Sequence, residues 1–525
     1  MTVTAITRRG MIGAGLAGAA ALRPRPARAA DRPLTVLLES EVVILDPHMT
    51  TAAITRTFGY QVFDTLFAMD GSGAIRPQMV EAHDASPDGL TWRFTLREGL
   101  LFHDGAAVTA ADCVASLQRW APKDGLGRML LSAGARFTAN SARAFTIGLE
   151  RPFPLMLQVL GKPNAPVPFI LPARIVAAAG DGRIKEVVGS GPFRFEAESW
   201  RPGNSMTLLR FADYAPRREP PDFLAGGKVV HVDQVVLKTI SDDATGASAL
   251  IAGEINYMQY LPFDWLGRLG RTPNVAVMAL KGLDMFQGNF RLNHASGPFA
   301  DPAVRQVLWK LVDQKEMLDT AGIGPAYRIE ACASFWMCGT PLSTDAGSSA
   351  ARFDMAGARS ALARTAYRSE PVVMLQVAGS ISQAAGSLLA QRMREAGFSV
   401  DEQVMDWGTV LARRAKREGW SLFPVYANGV DMSSPLNHFY VANNCADYPG
   451  WSCSPALSAL LAEFATAPDD AARKPVAARI QEEAYALTPS VMWGQFSRPA
   501  GYRTRLRNLM PSSFPMFWNV ELAAT

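Results

Sequence analysis

Apolar positions along the chain switch repeatedly between two periods. Trp92, Phe94 and Leu96 alternate with Arg93, Thr95 and Arg97, the two-residue period of a strand with one buried face. Asp88-Gly89 ahead of them is a turn pair, because glycine tolerates positive φ at no steric cost. His103-Asp104-Gly105 turns the chain again, and Thr109 with Asp112 makes a capping box opening a helix with Val114 and Leu117 on one face. Leu34 to Glu39 reads as an opening strand, Asp46-Pro47-His48 as a turn, and Tyr60 to Phe67 as the start of a helix ending near Asp70-Gly71. Strands with one helix follow as far as Leu149, where Arg151-Pro152-Phe153-Pro154 breaks the pattern.

Further on, the elements alternate. Gly189-Ser190-Gly191-Pro192 forces a tight reversal into a strand at Phe193. Ser241-Asp242-Asp243-Ala244 caps a helix that stops at Gly253, and Glu254 to Tyr257 continues as a strand. Asp301-Pro302 starts another helix, with Val304, Val307, Leu308, Leu311 and Val312 at helical spacing. Then come helix 354–365, strand 371–377, helix 383–396, strand 398–405, a helix after Trp407, strand 420–427, and two helices between Ser454 and Leu487. Strands alternating with helices predict an α/β chain with mostly parallel sheets. At 525 residues it is too long for one core, so two or three domains are expected.

The N-terminus changes the charge picture. Thr7-Arg8-Arg9-Gly10 resembles a twin-arginine export motif, a weakly apolar run follows from Ile12 to Leu22, and Ala27-Arg28-Ala29 is an A-x-A cleavage site. Residues 1–29 are thus expected to be a signal peptide, with a retained membrane anchor as the alternative reading; no lipobox cysteine follows the run. The chain carries a net charge of +4, but the leader holds Arg8, Arg9, Arg23, Arg25 and Arg28 and no acid. Without it the chain is close to neutral, so its basicity gives no reason to expect nucleic-acid binding.

Candidate chemistry is sparse. There is no phosphate loop, no G-x-S-x-G elbow and no H-E-x-x-H helix, and the six histidines are scattered. No catalytic residues, cofactor or metal ligands are assigned. Cys332 with Cys338, and Cys445 with Cys453, are each spaced to close a short disulfide loop. A metal site is the rival reading, disfavoured because no histidine lies at ligand spacing. Cys113 falls on the apolar face of its helix.

The string Asp88 to Cys113, DGLTWRFTLREGLLFHDGAAVTAADC, resembles the signature of the family 5 extracytoplasmic solute-binding proteins, the dipeptide- and oligopeptide-binding components of ABC importers. Gly189 to Phe193 and the GPFAD step ending at Asp301 are similar to further landmarks of that family. The resemblance implies a periplasmic-binding-protein-like type II (cluster C) α/β fold, with two lobes, an extra domain and a ligand cleft at the hinge. Residues 30–70, 188–283 and 491–525 would form domain I, 71–187 domain II and 284–490 domain III. The implied protein is periplasmic and monomeric. It closes over a solute, most readily a peptide, and serves an inner-membrane permease with a separate ATPase. Other solutes on the same scaffold (opines, oligosaccharides, amino-acid derivatives, nickel chelates) and an exported hydrolase are the alternatives.

The same resemblance suggests site residues. Asp431, four residues before Pro435, stands where peptide binders hold the ligand's ammonium; it is equally placed to cap its own turn. Trp407 would flank a ligand side chain or pack on its own helix, and Arg414 would reach a ligand carboxylate or lie on the surface. Thr51 would lie beside the ligand backbone. Tyr260, Trp336, Tyr426 and Trp493 are aromatics near expected strand ends, and Asn428 replaces a bulkier residue before the aspartate. A cysteine pair like Cys445–Cys453 is also implied.

Overall fold

A computed structural model describes residues 33–523; the signal-peptide reading lies outside the described residues. Two large sheets organise the chain. The first runs Phe193–Arg201, Ser205–Arg210, Gln234–Lys238, Leu34–Leu37, Tyr257–Met258, Ala500–Arg503, Val275–Met278. The second runs Arg328–Ile329, Ser490–Phe496, Phe286–Leu292, Leu422–Asn428, Val372–Val377, Val400–Met405. Both are mixed, which corrects the expectation of mostly parallel sheets. Only the trio around Leu34–Leu37 and the trio around Val372–Val377 are parallel. Alternation along the sequence reveals local strand–helix–strand units, whereas the antiparallel pairs join segments far apart, such as Phe286–Leu292 with Ser490–Phe496.

The segment that resembles the family signature forms a separate four-stranded antiparallel sheet, ordered Val80–Ala85, Thr91–Leu96, Ala144–Gly148, Arg136–Ala139. Phe94 pairs with Phe145, their rings stacked 4.9 Å apart, and Leu96 is buried beside them. Helix Ala110–Trp120 opens with the expected capping box, the Thr109 N–H donating to Asp112 over 2.8 Å. This helix buries Cys113, a free thiol whose pKa burial pushes up. Both other cysteine pairs are disulfides, Cys332–Cys338 and Cys445–Cys453.

Two sequence landmarks meet in space. The Gly189 N–H donates to His103 Nδ1 over 3.2 Å, and His103 Nε2 lies 3.0 Å from the Gly191 carbonyl. The His103 ring is therefore neutral, with its proton on Nε2. The glycines are there because the turn packs onto helix Ala53–Val62: a Cβ at Gly189 would stand 1.9 Å from the Val62 carbonyl oxygen. Gly189→Ala is therefore expected to lower stability by about 1–3 kcal/mol, since backbone cannot give way as a side chain can. A thermal midpoint equal to wild type would refute this.

That helix also corrects a boundary. It spans Ala53–Val62 rather than starting at Tyr60, and Phe63 is already extended. Ala52 at its N-cap makes no side-chain capping bond, so the sequence carries no start signal there. Elsewhere the expected caps at Asp242 and Asp301 each accept a backbone N–H of the first turn, and Asp354, inside the span expected to be helical, does the same. The apolar run after Asp301 is interrupted, however. Its helix ends at Val307 and tightens into a 3₁₀ turn at Leu308–Lys310.

Buried ion pairs tie distant segments together. Asp46 takes two N–H groups of Arg119 over 3.0 and 2.6 Å, plus the backbone N–H of Ile184 over 2.9 Å. Lys228 meets Asp64 over 2.8 Å with both side chains buried.

Candidate functional site

Strand direction decides where a site can lie. In open α/β sheets, ligands bind beyond the carboxyl ends of the parallel strands. Strand Leu34–Leu37 ends toward Glu39, Gln234–Lys238 toward Asp243, and Tyr257–Met258 toward Tyr260. In the second sheet, Leu422–Asn428 and Ser490–Phe496 both pair antiparallel with Phe286–Leu292, so they share a direction and end together. Their ends deliver Asp431 and Arg498.

The chain crosses between the two sheets at residues 279–285 and 497–499. The crossings are tied, because the Leu280 N–H donates to Ser497 Oγ over 2.9 Å. The Leu261 N–H likewise donates to the Pro499 carbonyl over 2.8 Å. Short crossings between two rigid sheets are the usual construction of a hinge. The carboxyl edges of both sheets meet along this seam.

Arg498 stands in the second crossing. Its guanidinium lies 4.0 Å from the centre of the Tyr260 ring and 5.7 Å from that of Tyr426, and donates to the Tyr426 hydroxyl over 3.0 Å. Burial opposes its charge, but Tyr426, Tyr260, Glu39 and Asp243 outweigh that and hold its pKa above the ordinary value. Glu39 has exposed surface, yet desolvation by the packing around its carboxyl raises its pKa, with Arg498 and Arg56 pulling the other way. Its backbone N–H is fixed by Gln259 Oε1 at 2.9 Å.

Behind them lies a buried network. Arg56, from helix Ala53–Val62, donates to Asp431 Oδ1 over 2.7 Å, with side-chain exposures of 1% and 8%, and its guanidinium covers the Phe514 ring at 4.5 Å. Burial raises the Asp431 pKa against the pull of Arg56 and Lys162. Ser513 joins several strands: its N–H and Oγ donate to Asp284 over 2.8 and 2.9 Å, and its carbonyl accepts from Tyr260 and Gln259. Burial raises the Asp284 pKa, opposed by these bonds.

The residues singled out from sequence therefore separate. Tyr260, Tyr426, Asn428 and Asp431 converge on the seam. Asn428 is buried, accepts from the Val430 N–H over 3.1 Å and donates to Ser513 Oγ, so it caps the turn holding Asp431. The Asp431 carboxylate, which the resemblance offered to a ligand ammonium, is already held by Arg56. Thr51 is exposed in the loop leading to helix Ala53–Val62. Trp407 opens helix Trp407–Arg414 and is 42% exposed, with the Arg414 guanidinium 5.3 Å from its ring centre and 5.5 Å from that of Phe423.

Trp336 and Trp493 are corrections. Both are fully buried: Trp493 stacks on Phe496 at 5.1 Å and covers Gly288, and Trp336 lies against His438 at 5.6 Å. They pack the core of the second sheet and leave no face for a ligand. Conversely, sequence reasoning missed Glu39, Arg56 and Arg498. The available signal for Arg498 was Ser497-Arg498-Pro499, a proline break between two strand-like runs.

Among the described residues no cluster of His, Cys, Asp and Glu could hold a metal ion. No described helix is long and apolar enough to cross a membrane.

Comparison with known proteins places this seam in context. The family model "Bacterial extracellular solute-binding proteins, family 5 Middle" matches residues 74–449. The chain is 33% identical to the probable peptide ABC transporter periplasmic-binding protein y4tO of Sinorhizobium fredii (strain NBRC 101917 / NGR234), over 99% of this chain and 100% of that one. Among solved structures, a dipeptide binding protein from Pseudoalteromonas sp. SM9913 in complex with Met-Leu superposes with a TM-score of 0.79 at 18% identity, covering 94% of this chain and 100% of that one. The binding protein AgaA of A. tumefaciens R10, in complex with agropinic acid, gives 0.78 at 21% identity, covering 94% and 99%. These two likenesses show a shared fold.

Proposed function

Since this chain belongs to the family 5 bacterial extracellular solute-binding proteins, we propose that it is the periplasmic binding component of an ABC importer, capturing a short peptide by hinge closure. The observation that carries this reading is the seam itself. Two rigid sheets meet at tied crossings, and charged and aromatic side chains from both gather at their shared carboxyl edge. Closing such a seam removes ligand charges from water, so each needs a fixed partner from the protein. Tyr260 and Tyr426 supply flat walls, while Trp407, Arg414 and Thr51 are reachable from solvent at the ligand's flanks.

The remaining roles follow from that reading. Residues 1–29 act as a twin-arginine signal peptide, and the disulfides suit an oxidising compartment. Domain I comprises residues 30–70, 188–283 and 491–525, with 71–187 and 284–490 as the other two. The protein works as a monomer, performs no catalysis and hands its solute to a membrane permease powered by a separate ATPase. One observation favours a non-peptide solute as the second reading: Arg56 occupies the carboxylate of Asp431.

A thermal-shift screen of the mature protein tests the proposal. A ligand that binds only the native state raises the melting temperature, by about 2.7 kcal/mol of added stability at one hundred times its Kd. Di- to pentapeptides are expected to produce that shift. If a non-peptide solute class alone raises the midpoint, the second reading replaces the first.

A further inference from the structure

Two oppositely charged side chains at the seam lack charged partners. Among the described residues, neither Glu39 nor Arg498 takes part in an ion pair, although they are neighbours, Glu39 bonded through its N–H to Gln259 and Arg498 stacked on the next residue, Tyr260. Arg498 is pre-oriented, with one face on Tyr260 at 4.0 Å and one N–H on the Tyr426 hydroxyl at 3.0 Å. No other described residue takes its remaining donors. Glu39 likewise has its backbone fixed and its carboxylate free. The two buried carboxylates behind them already have partners: Asp431 is held by Arg56, and Asp284 accepts from Ser513.

We infer that Glu39 and Arg498 form a two-point clamp for a compact zwitterion, Glu39 receiving the ligand's ammonium and Arg498 its carboxylate. This rests on the solute-binding reading above and moves the ammonium subsite from Asp431 to Glu39. The geometry selects by length. Glu39 is anchored through its backbone to Gln259 and Arg498 lies over the ring of the adjoining Tyr260, so the two charges face a short span that suits an amino acid or dipeptide. A longer peptide would place its two termini too far apart to engage both groups. Each contact is a charge-assisted hydrogen bond made on closure, so losing one should weaken binding about 10- to 100-fold.

Isothermal titration of the mature protein with leucine, Ala-Leu, N-acetyl-Ala-Leu, Ala-Leu amide and tetra-alanine tests this. The wild type is expected to bind Ala-Leu or leucine and to lose about 10- to 100-fold when either end is capped. E39Q should bind Ala-Leu weakly and become indifferent to N-acetylation, and R498Q should become indifferent to amidation. R498K keeps the charge and should recover part of the carboxylate preference, which a loss of folding would not. Capping penalties that persist in both glutamine variants, or affinities equal to wild type, overturn the clamp. Binding of tetra-alanine but not of Ala-Leu or leucine overturns it while leaving the peptide reading intact. Binding of leucine alone, abolished in E39Q and R498Q, leaves the clamp standing and removes the peptide reading.

Discussion

Lowering the pH from 7 to 5 should sharply destabilise the folded protein. Burial depresses the pKa of four histidines from the ordinary 6.5: His294 and His438 to about 3, His103 to about 4, and His48 in the same direction. In the unfolded chain they take up protons near pH 6.5, whereas in the folded protein they stay neutral. The unfolded state therefore binds more protons throughout this window, and stability falls as pH falls. The contribution is complete above pH 6.5 and lost progressively toward the folded values. The fully buried His438 alone costs about 2 kcal/mol at pH 5. His103 shows the cause in geometry: protonating Nδ1 would point an N–H at the N–H of Gly189. Thermal midpoints measured between pH 7.5 and 4.5 should drop steeply below 6.5. A flat profile down to pH 5 would contradict this account.

Asp46→Ala should be the most damaging of the single carboxylate changes, at about 3–5 kcal/mol, because it leaves a buried guanidinium without its partner. Arg119 is 6% exposed, and Asp46 is its one carboxylate partner, accepting two of its N–H groups while the Gly182 carbonyl accepts a third. The change also strands the N–H groups of Ile184 and His48. Burial alone would raise the Asp46 pKa, but the bonds from Arg119, Ile184 and His48 hold it below 3.8. Its contribution is thus present above that value and fades at lower pH, well apart from the histidine window. Urea denaturation measures the loss, and the paired change Asp46→Leu with Arg119→Met should recover much of it, since no charge then remains unpaired. A single variant within 1 kcal/mol of wild type would show that Arg119 finds other partners.

Much of the fold was legible in the sequence because its elements announce themselves locally. Asp242 and Asp301 cap helices where a short acid precedes an apolar repeat. Helix Ala53–Val62 was misplaced because Ala52 gives no capping signal and the apolar residues run on past its end. The mixed sheets were hidden for another reason: Phe286–Leu292 meets Ser490–Phe496 across some two hundred residues, and no local pattern encodes that pairing. The site suffered most. A fully buried Trp493 and a half-exposed Trp407 look alike in sequence. Arg56 looks like any helical arginine until it is found against Asp431.

The buried position of Cys113 has a consequence for how this odd-numbered set of cysteines resolves itself. Disulfide exchange proceeds through a thiolate with access to a sulfur atom. Cys113 satisfies neither condition, being sealed in the four-stranded unit with its proton held on. The four other cysteines pair within short stretches, Cys332 with Cys338 and Cys445 with Cys453, so each has its mate close by along the chain and Cys113 far away. Fidelity of oxidation is thereby a matter of neighbourhood and burial, and a folded molecule keeps its odd thiol out of exchange without needing a reductant.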